Sequence, residues 1–154
     1  MKKIAIFQAN LQVGGIQRSL VNLMNSGIFK EYEVDVYLFS RDVFYDIETI
    51  PNNIHIKYLQ PFPYWYRFLP FGLIKMITKC EIDLSGYDFA IDYDSYRQEC
   101  AYYTTSAINA NKIMWIHNDM VLEYKYNRKY RVLYHFFKNK YRYYDQFVAV
   151  SEGI

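Results

Sequence analysis

Short apolar runs alternate with longer amphipathic segments along the whole chain, and this alternation constrains the fold more than any other feature. Six runs have the length and composition of buried β-strands: 4–7, 34–40, 54–59, 89–93, 112–117 and 147–151. Helical segments are predicted around 16–27, 64–79, 96–108 and 121–144. Because strands that alternate with helices form parallel sheets covered on both faces, we predict an α/β fold, a Rossmann-like α/β/α sandwich with a mostly parallel sheet.

The chain has 154 residues, enough for one domain with a substantial core. The last predicted strand ends at Ser151, a residue type that commonly caps the start of a helix, so we expect one domain of a larger protein. The N-terminal segment reaches polar Gln8 after four apolar residues, which does not fit a signal peptide. Cys80 and Cys100 lack the spacing of a metal site or of a disulfide framework, which favours a cytoplasmic protein with reduced thiols.

Two adjacent glycines, Gly14 and Gly15, stand between the first predicted strand and the first predicted helix. A loop in this position lies at the carboxyl edge of a parallel sheet, where ligands bind, and the start of a helix favours an anion. Residues 14–19 read Gly-Gly-Ile-Gln-Arg-Ser, which matches neither the dinucleotide fingerprint nor the Walker A pattern. The pair is therefore either a simple tight turn or a ligand-binding loop of another kind.

Three stretches, in order and spacing, resemble the N-terminal domain of the family-4 (group 1) glycosyltransferases of the GT-B fold. They are QVGGIQRSLVNL at 12–23, KIMWIHND at 112–119 and YDQFVAVSEGI at 144–154. The first resembles the family's glycine loop and following helix. The second resembles a strand that ends in a histidine, and the third resembles the strand that closes the N-terminal half.

The resemblance implies a retaining enzyme that transfers a sugar from a nucleotide-sugar to an acceptor hydroxyl. In this family the N-terminal domain mainly holds the acceptor, and a C-terminal domain holds most of the nucleotide-sugar. Residues 1–154 would be the N-terminal acceptor-binding domain, with the C-terminal nucleotide-sugar domain absent from the chain, so we expect the chain alone to be inactive. The nucleotide-sugar is a substrate, and no cofactor or metal is expected.

The resemblance also implies roles for single residues. His117 would be the catalytic contribution, since it would contact and orient the transferred sugar. Donor or acceptor binding is expected at the residues beside the glycine loop and at the strand ends: Gly14, Gly15, Arg18, Asn118 and Asp94. The residues alone leave alternatives open, namely a core or capping histidine at position 117, helix capping by Asn118 or Asp119, and a solvated helix face at Arg18.

The predicted helix at 121–144 is strongly basic. It holds seven Lys/Arg and one acidic residue, so it carries +6 while the rest of the chain carries −4. At 100° per residue its apolar side chains form one band: Leu122, Tyr126, Tyr130, Leu133, Phe137, Tyr141 and Tyr144. The opposite side is a basic stripe: Arg128, Arg131, His135, Lys138 and Arg142. The stripe is either a solvated face or a surface for anionic lipid. No nucleic-acid motif accompanies it, so nucleic acid is not expected as a partner.

The segment 61–79 contains six aromatic residues and three prolines, which preclude one long helix. Trp65 beside Arg67 is typical of a membrane interface, and a hydrophobic lid over an acceptor cleft is the alternative. Both fit an acceptor that is lipid-linked or a polysaccharide. We predict a cytoplasmic protein attached peripherally to the inner face of the membrane through six residues: Arg128, Arg131, Lys138, Arg142, Trp65 and Arg67.

Two other functions fit the same sequence. One is a stand-alone Rossmann-like binding module that uses its basic helix on membranes or on an acidic partner. The other is a different GT-B enzyme, such as a nucleotide-sugar epimerase, whose N-terminal half would not need the aromatic segment. Asp88, Asp92 and Asp94 lie close together in sequence, but no further ligand has the spacing of a metal site.

Overall fold

A computed structural model describes residues 1–150 and contains a six-stranded sheet in which every neighbouring pair is parallel. The strands are β1 Lys2–Gln8, β2 Tyr32–Leu38, β3 Ile54–Tyr58, β4 Phe89–Asp92, β5 Asn111–Ile116 and β6 Gln146–Ala149. Their order is β3-β2-β1-β4-β5-β6. All six predicted strands and the Rossmann-like α/β/α fold are confirmed. Ser151 and its predicted capping role lie outside the described residues.

Alternate side chains of β1 enter two separate cores, because successive residues of a strand point to opposite faces of the sheet. Ile4 and Ile6 pack towards helix α1, Gly15–Asn25. Ala5 and Phe7 pack towards helices α2, Phe71–Ile77, and α3, Gln98–Ser106. Every side chain of this strand from Ile4 to Gln8 is buried, which explains why the run reads as continuously apolar.

The prolines divide the segment 61–79 as predicted. Residues Tyr64–Phe68 form a 3₁₀ helix, and α2 begins directly after Pro70. Proline disfavours helical backbone at the residue before it and lacks the N–H that an interior helical position needs, so the helix restarts there. We call residues 61–68 the aromatic segment.

The single helix predicted at 121–144 is wrong. The chain instead forms α4, Met120–Tyr126, then α5, Arg128–Phe137, and then a 3₁₀ helix, Lys138–Tyr143. Asn127 causes the first break, since its backbone is extended and its side-chain oxygen accepts a hydrogen bond from the N–H of Tyr130 at 3.0 Å. An asparagine side chain competes in this way with helical hydrogen bonds.

The break also splits the predicted apolar band. Tyr130, Phe137 and Tyr144 are buried as expected, whereas Leu122 and Tyr126, in the separate helix α4, are exposed. Within residues 1–150, every helix is too short or too polar to cross a bilayer.

Candidate functional site at the switch point of the sheet

The order of the strands reverses between β1 and β4. From β1 the chain moves outward to β2 and β3 on one side, and it then returns to β4 on the other side of β1. At the carboxyl ends of two such strands the loops diverge and leave a crevice, which is where open parallel sheets bind ligands. The loop with Gly14 and Gly15 follows β1, and Asp94 follows β4. Both sets of predicted binding residues therefore border this switch point.

The glycine loop leaves open space above the start of α1. A Cβ atom added at Gly15 would meet no atom within 4 Å, and one added at Gly14 would meet only the side chain of Gln17. Gly14 has an extended backbone with φ of 177°, which any residue adopts, so neither glycine is required by backbone strain. Among residues 1–150 no side chain caps α1, so its first N–H groups are available to an anionic ligand.

His117 follows the last residue of β5, and its ring is half-buried. Its Nε2 lies 2.8 Å from the carbonyl oxygen of Tyr93. A carbonyl only accepts hydrogen bonds, so Nε2 carries the proton and Nδ1 carries the lone pair. Burial lowers the pKa of His117, which keeps the ring neutral at pH 7. Nδ1 has no partner within residues 1–150 and is suited to accept a hydrogen bond from a hydroxyl group.

Tyr93 contacts both helix α1 and the end of β5, a role that the sequence did not reveal. Its ring lies 4.7 Å from the ring of His117 and 5.2 Å from that of Trp115, centroid to centroid. Its hydroxyl lies 2.8 Å from Oγ of Ser19, in the second turn of α1. The only sequence signal was its position at the end of a predicted strand. Tyr93 therefore fixes the position of His117 relative to the helix that follows the glycine loop.

Asp94 lies at the base of the crevice and is 8% exposed. Nε2 of Gln8 lies 3.5 Å from its carboxylate, and burial raises the pKa of Asp94. Gln8 Oε1 is buried without a hydrogen-bond partner in the described part of the chain. The two side chains thus form a buried polar pair directly between the ends of β1 and β4.

A buried network behind the β4–α3 loop was also missed by sequence reasoning. Lys140 is fully buried, and its Nζ donates to the carbonyl oxygen of Ser95 at 2.5 Å. Asp92, also fully buried, accepts hydrogen bonds from the backbone N–H of Ser95 at 2.9 Å and from the hydroxyl of Tyr144 at 2.5 Å. Ser95 has a φ of 61°, which is uncommon for a residue with a side chain. The network therefore holds this loop in a conformation that the backbone alone does not favour.

In this network, burial and the neighbouring charges shift each pKa in opposite directions. Burial raises the pKa of Asp92 to about 6, although the nearby Lys140 cation acts in the opposite direction. Burial lowers the pKa of Lys140, again against the attraction of the neighbouring carboxylates. Within residues 1–150 Lys140 and Asp92 form no ion pair within 4 Å, but the attraction between these two buried charges offsets part of the cost of burying them.

The remaining predicted binding residues are exposed. Arg18 lies on the solvent side of α1, and its guanidinium makes no hydrogen bond or ion pair within residues 1–150. Asn118 does not cap α4. That role belongs to Asp119, whose Oδ1 accepts hydrogen bonds from the N–H groups of Val121 and Leu122 at 2.9 and 3.0 Å. Asn118 stays beside His117 at the rim as an exposed amide.

The residues predicted to face a membrane occupy neighbouring elements. The aromatic segment packs against α5, with the rings of Phe68 and Phe136 at 6.3 Å, and Trp65 is 55% exposed. Arg67 is half-buried, with its guanidinium 4.0 Å from the ring centre of Tyr64. The basic residues are exposed: Arg128, Arg131, Lys138 and Arg142. The guanidinium of Arg131 donates to the backbone carbonyls of Tyr124 and Lys125, so this arginine also caps the C-terminal end of α4.

The three neighbouring aspartates do not form a metal site, since their carboxylates are used separately. Oδ2 of Asp88 accepts a hydrogen bond from the backbone N–H of Lys3 at 2.8 Å, while Asp92 belongs to the buried network. Within residues 1–150, no three His, Cys, Asp or Glu side chains are grouped so that they could hold a metal ion.

No known protein-family model matches the sequence, and no curated protein matches it.

Proposed function

We propose that the chain is the N-terminal, acceptor-binding half of a retaining glycosyltransferase of the GT-B fold. The intact enzyme transfers a sugar from a nucleotide-sugar to a lipid-linked or polysaccharide acceptor. One observation carries the proposal: the glycine loop and His117, singled out separately in the sequence, lie at the same edge of the sheet, and Tyr93 contacts both His117 and the helix that follows the loop. Open space at Gly15 and a free Nδ1 on His117 are what a bound sugar nucleotide needs there.

The geometry suggests a division of roles in the reaction. The N–H groups at the start of α1 face the diphosphate of the donor and stabilise the charge that develops as it leaves. Nδ1 of His117 accepts a hydrogen bond from a hydroxyl of the transferred sugar and thereby orients its anomeric carbon. Because the pKa of His117 is lowered, this histidine acts as a neutral acceptor and not as a cation. The C-terminal domain supplies most of the contacts to the nucleotide.

The mass of the natural gene product tests the domain assignment. The proposal predicts a protein of about twice the 18.6 kDa of this chain, in which a nucleotide-sugar-binding domain follows residue 154. Adding that domain to residues 1–154 should restore sugar transfer. A natural product that ends at Ile154 and has no partner subunit with such a domain would contradict the proposal.

A stand-alone membrane-binding module is the second candidate, and the surface shared by the aromatic segment and α5 favours it. Trp65 on the aromatic segment and Arg128 and Arg131 on the neighbouring α5 are exposed, and such residues are suited to the interface of an anionic bilayer. This surface is compatible with the enzyme as well, as a means of reaching a lipid-linked acceptor at the inner face of a membrane. The two candidates differ in that only the enzyme releases a nucleoside diphosphate from a nucleotide-sugar.

Co-sedimentation with vesicles tests the membrane surface. The chain should bind phosphatidylcholine vesicles that contain phosphatidylglycerol, and salt should weaken the binding. The double substitution Trp65→Ala and Arg67→Gln should reduce it several-fold. Phe44→Ala, which removes an exposed aromatic ring elsewhere, should not. Equal binding to vesicles without phosphatidylglycerol, or no binding at all, would contradict the membrane assignment.

A further inference from the structure

A cleft of about 390 Å³ separates the aromatic segment from α5 and from the start of α3. This volume lies within the range of small-molecule sites. Pro61, Arg97 and Glu99 line both this cleft and a smaller cavity of about 100 Å³ that reaches Ala9 and Asn10, just after β1. The cleft therefore adjoins a cavity at the carboxyl end of the central strand.

Cations dominate the charge of the cleft. Arg67, Arg97 and Lys129 come from three different elements, and Glu99 is the one carboxylate among the lining residues. Arg97 and Glu99 are 3.9 Å apart, at the limit of an ion pair. Arg67 and Lys129 have no carboxylate within 4 Å in the part of the chain that is described. The lining thus retains positive charge that an anion would neutralise.

The start of α3 adds one polar atom that lacks a hydrogen-bond partner in the described residues, on Gln98, the first residue of this helix. Gln98 is 5% exposed and lines the cleft. Its Nε2 donates to the carbonyl of Leu69 at 3.1 Å, whereas its Oε1 has no hydrogen-bond partner within residues 1–150. A buried amide oxygen without a partner is costly unless a ligand donor reaches it.

Aromatic rings form the opposite wall. Phe62 and Tyr66 pack against each other with ring centres at 5.0 Å, and Tyr64 extends the wall towards solvent under the Arg67 guanidinium. Flat aromatic surfaces beside carboxylate and amide oxygens suit a sugar ring, which has apolar C–H faces and hydroxyl groups at its edge. Glu99 and Gln98 offer oxygens that accept from such hydroxyls.

We propose that this cleft binds a sugar phosphate, with the sugar ring against the aromatic segment and the phosphate group on Arg67, Arg97 and Lys129. This inference rests on the proposed function in one respect only, namely that the bound sugar phosphate is part of the acceptor. Binding itself requires neither the donor nor the second domain. The phosphate belongs either to a water-soluble glycan or to a lipid carrier, and the experiment below separates these sources.

Titration of the 154-residue chain, followed by NMR, measures this binding. The probes are glucose 1-phosphate, galactose 1-phosphate and N-acetylglucosamine 1-phosphate, each compared with inorganic phosphate and with the free sugar. At least one sugar phosphate should shift the side-chain signals of Gln98 and Arg97, with a Kd on the order of 1 mM. That sugar phosphate should bind at least several-fold more tightly than phosphate alone. An octyl phosphodiester of the same sugar should bind more tightly still if the natural ligand is lipid-linked, and no more tightly if it is water-soluble.

Three variants separate the phosphate contacts from the sugar contacts. Arg97→Gln and Lys129→Gln should each weaken the binding of the sugar phosphate and of phosphate by several-fold. Tyr64→Ala, at an exposed position, should weaken only the sugar phosphate. Lys125→Gln is the control, since this exposed lysine of α4 does not line the cleft.

Two results would overturn the inference. One is the absence of shifts at Gln98 and Arg97 with all three sugar phosphates up to about 20 mM. The other is binding that is unchanged in Arg97→Gln and Lys129→Gln. Sugar-phosphate binding by a protein that never transfers sugar would contradict the proposed function and leave this inference intact. Sugar transfer by a protein whose cleft binds no sugar phosphate would contradict this inference and leave the proposed function intact.

Discussion

The hydroxyl of Tyr144 donates a hydrogen bond to Oδ2 of Asp92 at 2.5 Å, and both side chains are buried. Asp92 is the last residue of β4, and Tyr144 directly follows the last helical segment. The bond thus joins the central part of the sheet to the chain that leads into β6. It lies behind the loop of the candidate site, so the position of that loop depends on contacts 52 residues apart.

Tyr144→Phe should destabilise the protein by about 2 kcal/mol, because a buried carboxylate loses a hydrogen-bond donor. The free energy of unfolding in urea measures this effect. Tyr143→Phe is the matched control. The neighbouring hydroxyl of Tyr143 only accepts a hydrogen bond from exposed Arg142 at 3.2 Å, and its loss should change stability little. Equal effects of the two substitutions would show that the hydrogen bond to Asp92 adds nothing to the free energy of unfolding beyond the loss of an exposed hydroxyl.

Lys140→Met should destabilise the protein by roughly 3–5 kcal/mol, since it removes the buried cation that favours ionised Asp92 and the donor to the Ser95 carbonyl. Lys138→Met removes an exposed lysine two residues earlier and should be nearly neutral. Denaturant unfolding compares the two variants. A Lys140→Met protein as stable as the wild type would mean that the buried charges do not compensate each other.

The Asp92 carboxyl should titrate with a pKa of about 6 in the folded protein, well above that of an unfolded aspartate. The folded state therefore binds the proton more tightly, and the contribution of Asp92 to stability is fully present below about pH 4. It is lost as the pH rises through about 6. The ¹³C shift of the carboxyl carbon, followed against pH, gives the pKa directly. A midpoint near pH 4 would contradict this assignment.

Gly15→Ala should leave stability within about 0.5 kcal/mol of the wild type, because the added methyl group meets no atom within 4 Å. In the proposed glycosyltransferase it should slow sugar transfer roughly tenfold, since the methyl group would enter the space that we assign to the donor. Gly27→Ala is the contrasting control. Gly27 has a φ of 80°, so alanine there should cost about 1 kcal/mol without affecting transfer. Normal transfer in Gly15→Ala would remove the glycine loop from the site.

The central strands β1, β2 and β4 could be predicted from the sequence because strands buried on both faces read as largely apolar runs. The helical breaks within 121–144 could not be predicted in this way. A helical projection assumes a constant 100° per residue, so it does not show that the Asn127 side chain caps a new helix. The same projection placed Lys140 in neither the apolar band nor the basic stripe, whereas the 3₁₀ geometry after Phe137 turns this lysine into the core.

The candidate site was predictable only in part. Gly14, Gly15 and His117 belong to motifs that resemble a known family, so they could be singled out residue by residue. The contacts that assemble the site join Tyr93 to Ser19, 74 residues away, and to His117, 24 residues away. Such pairs depend on the order of the strands, which no local pattern contains. The cleft beside the aromatic segment depends in the same way on the packing of α5 against Tyr64–Phe68.

The release of nucleoside diphosphate by the intact natural protein tests the central claim most directly. The measurement uses a panel of uridine and guanosine diphosphate sugars, with glycolipids from the source cells as acceptors. The wild type should release the diphosphate from one donor only when acceptor is present. His117→Ala should lower that rate by roughly 100-fold, and His135→Ala, at an exposed position on α5, should not. No release with any donor, or full activity in His117→Ala, would contradict the assignment of this chain as half of a glycosyltransferase with His117 in its site.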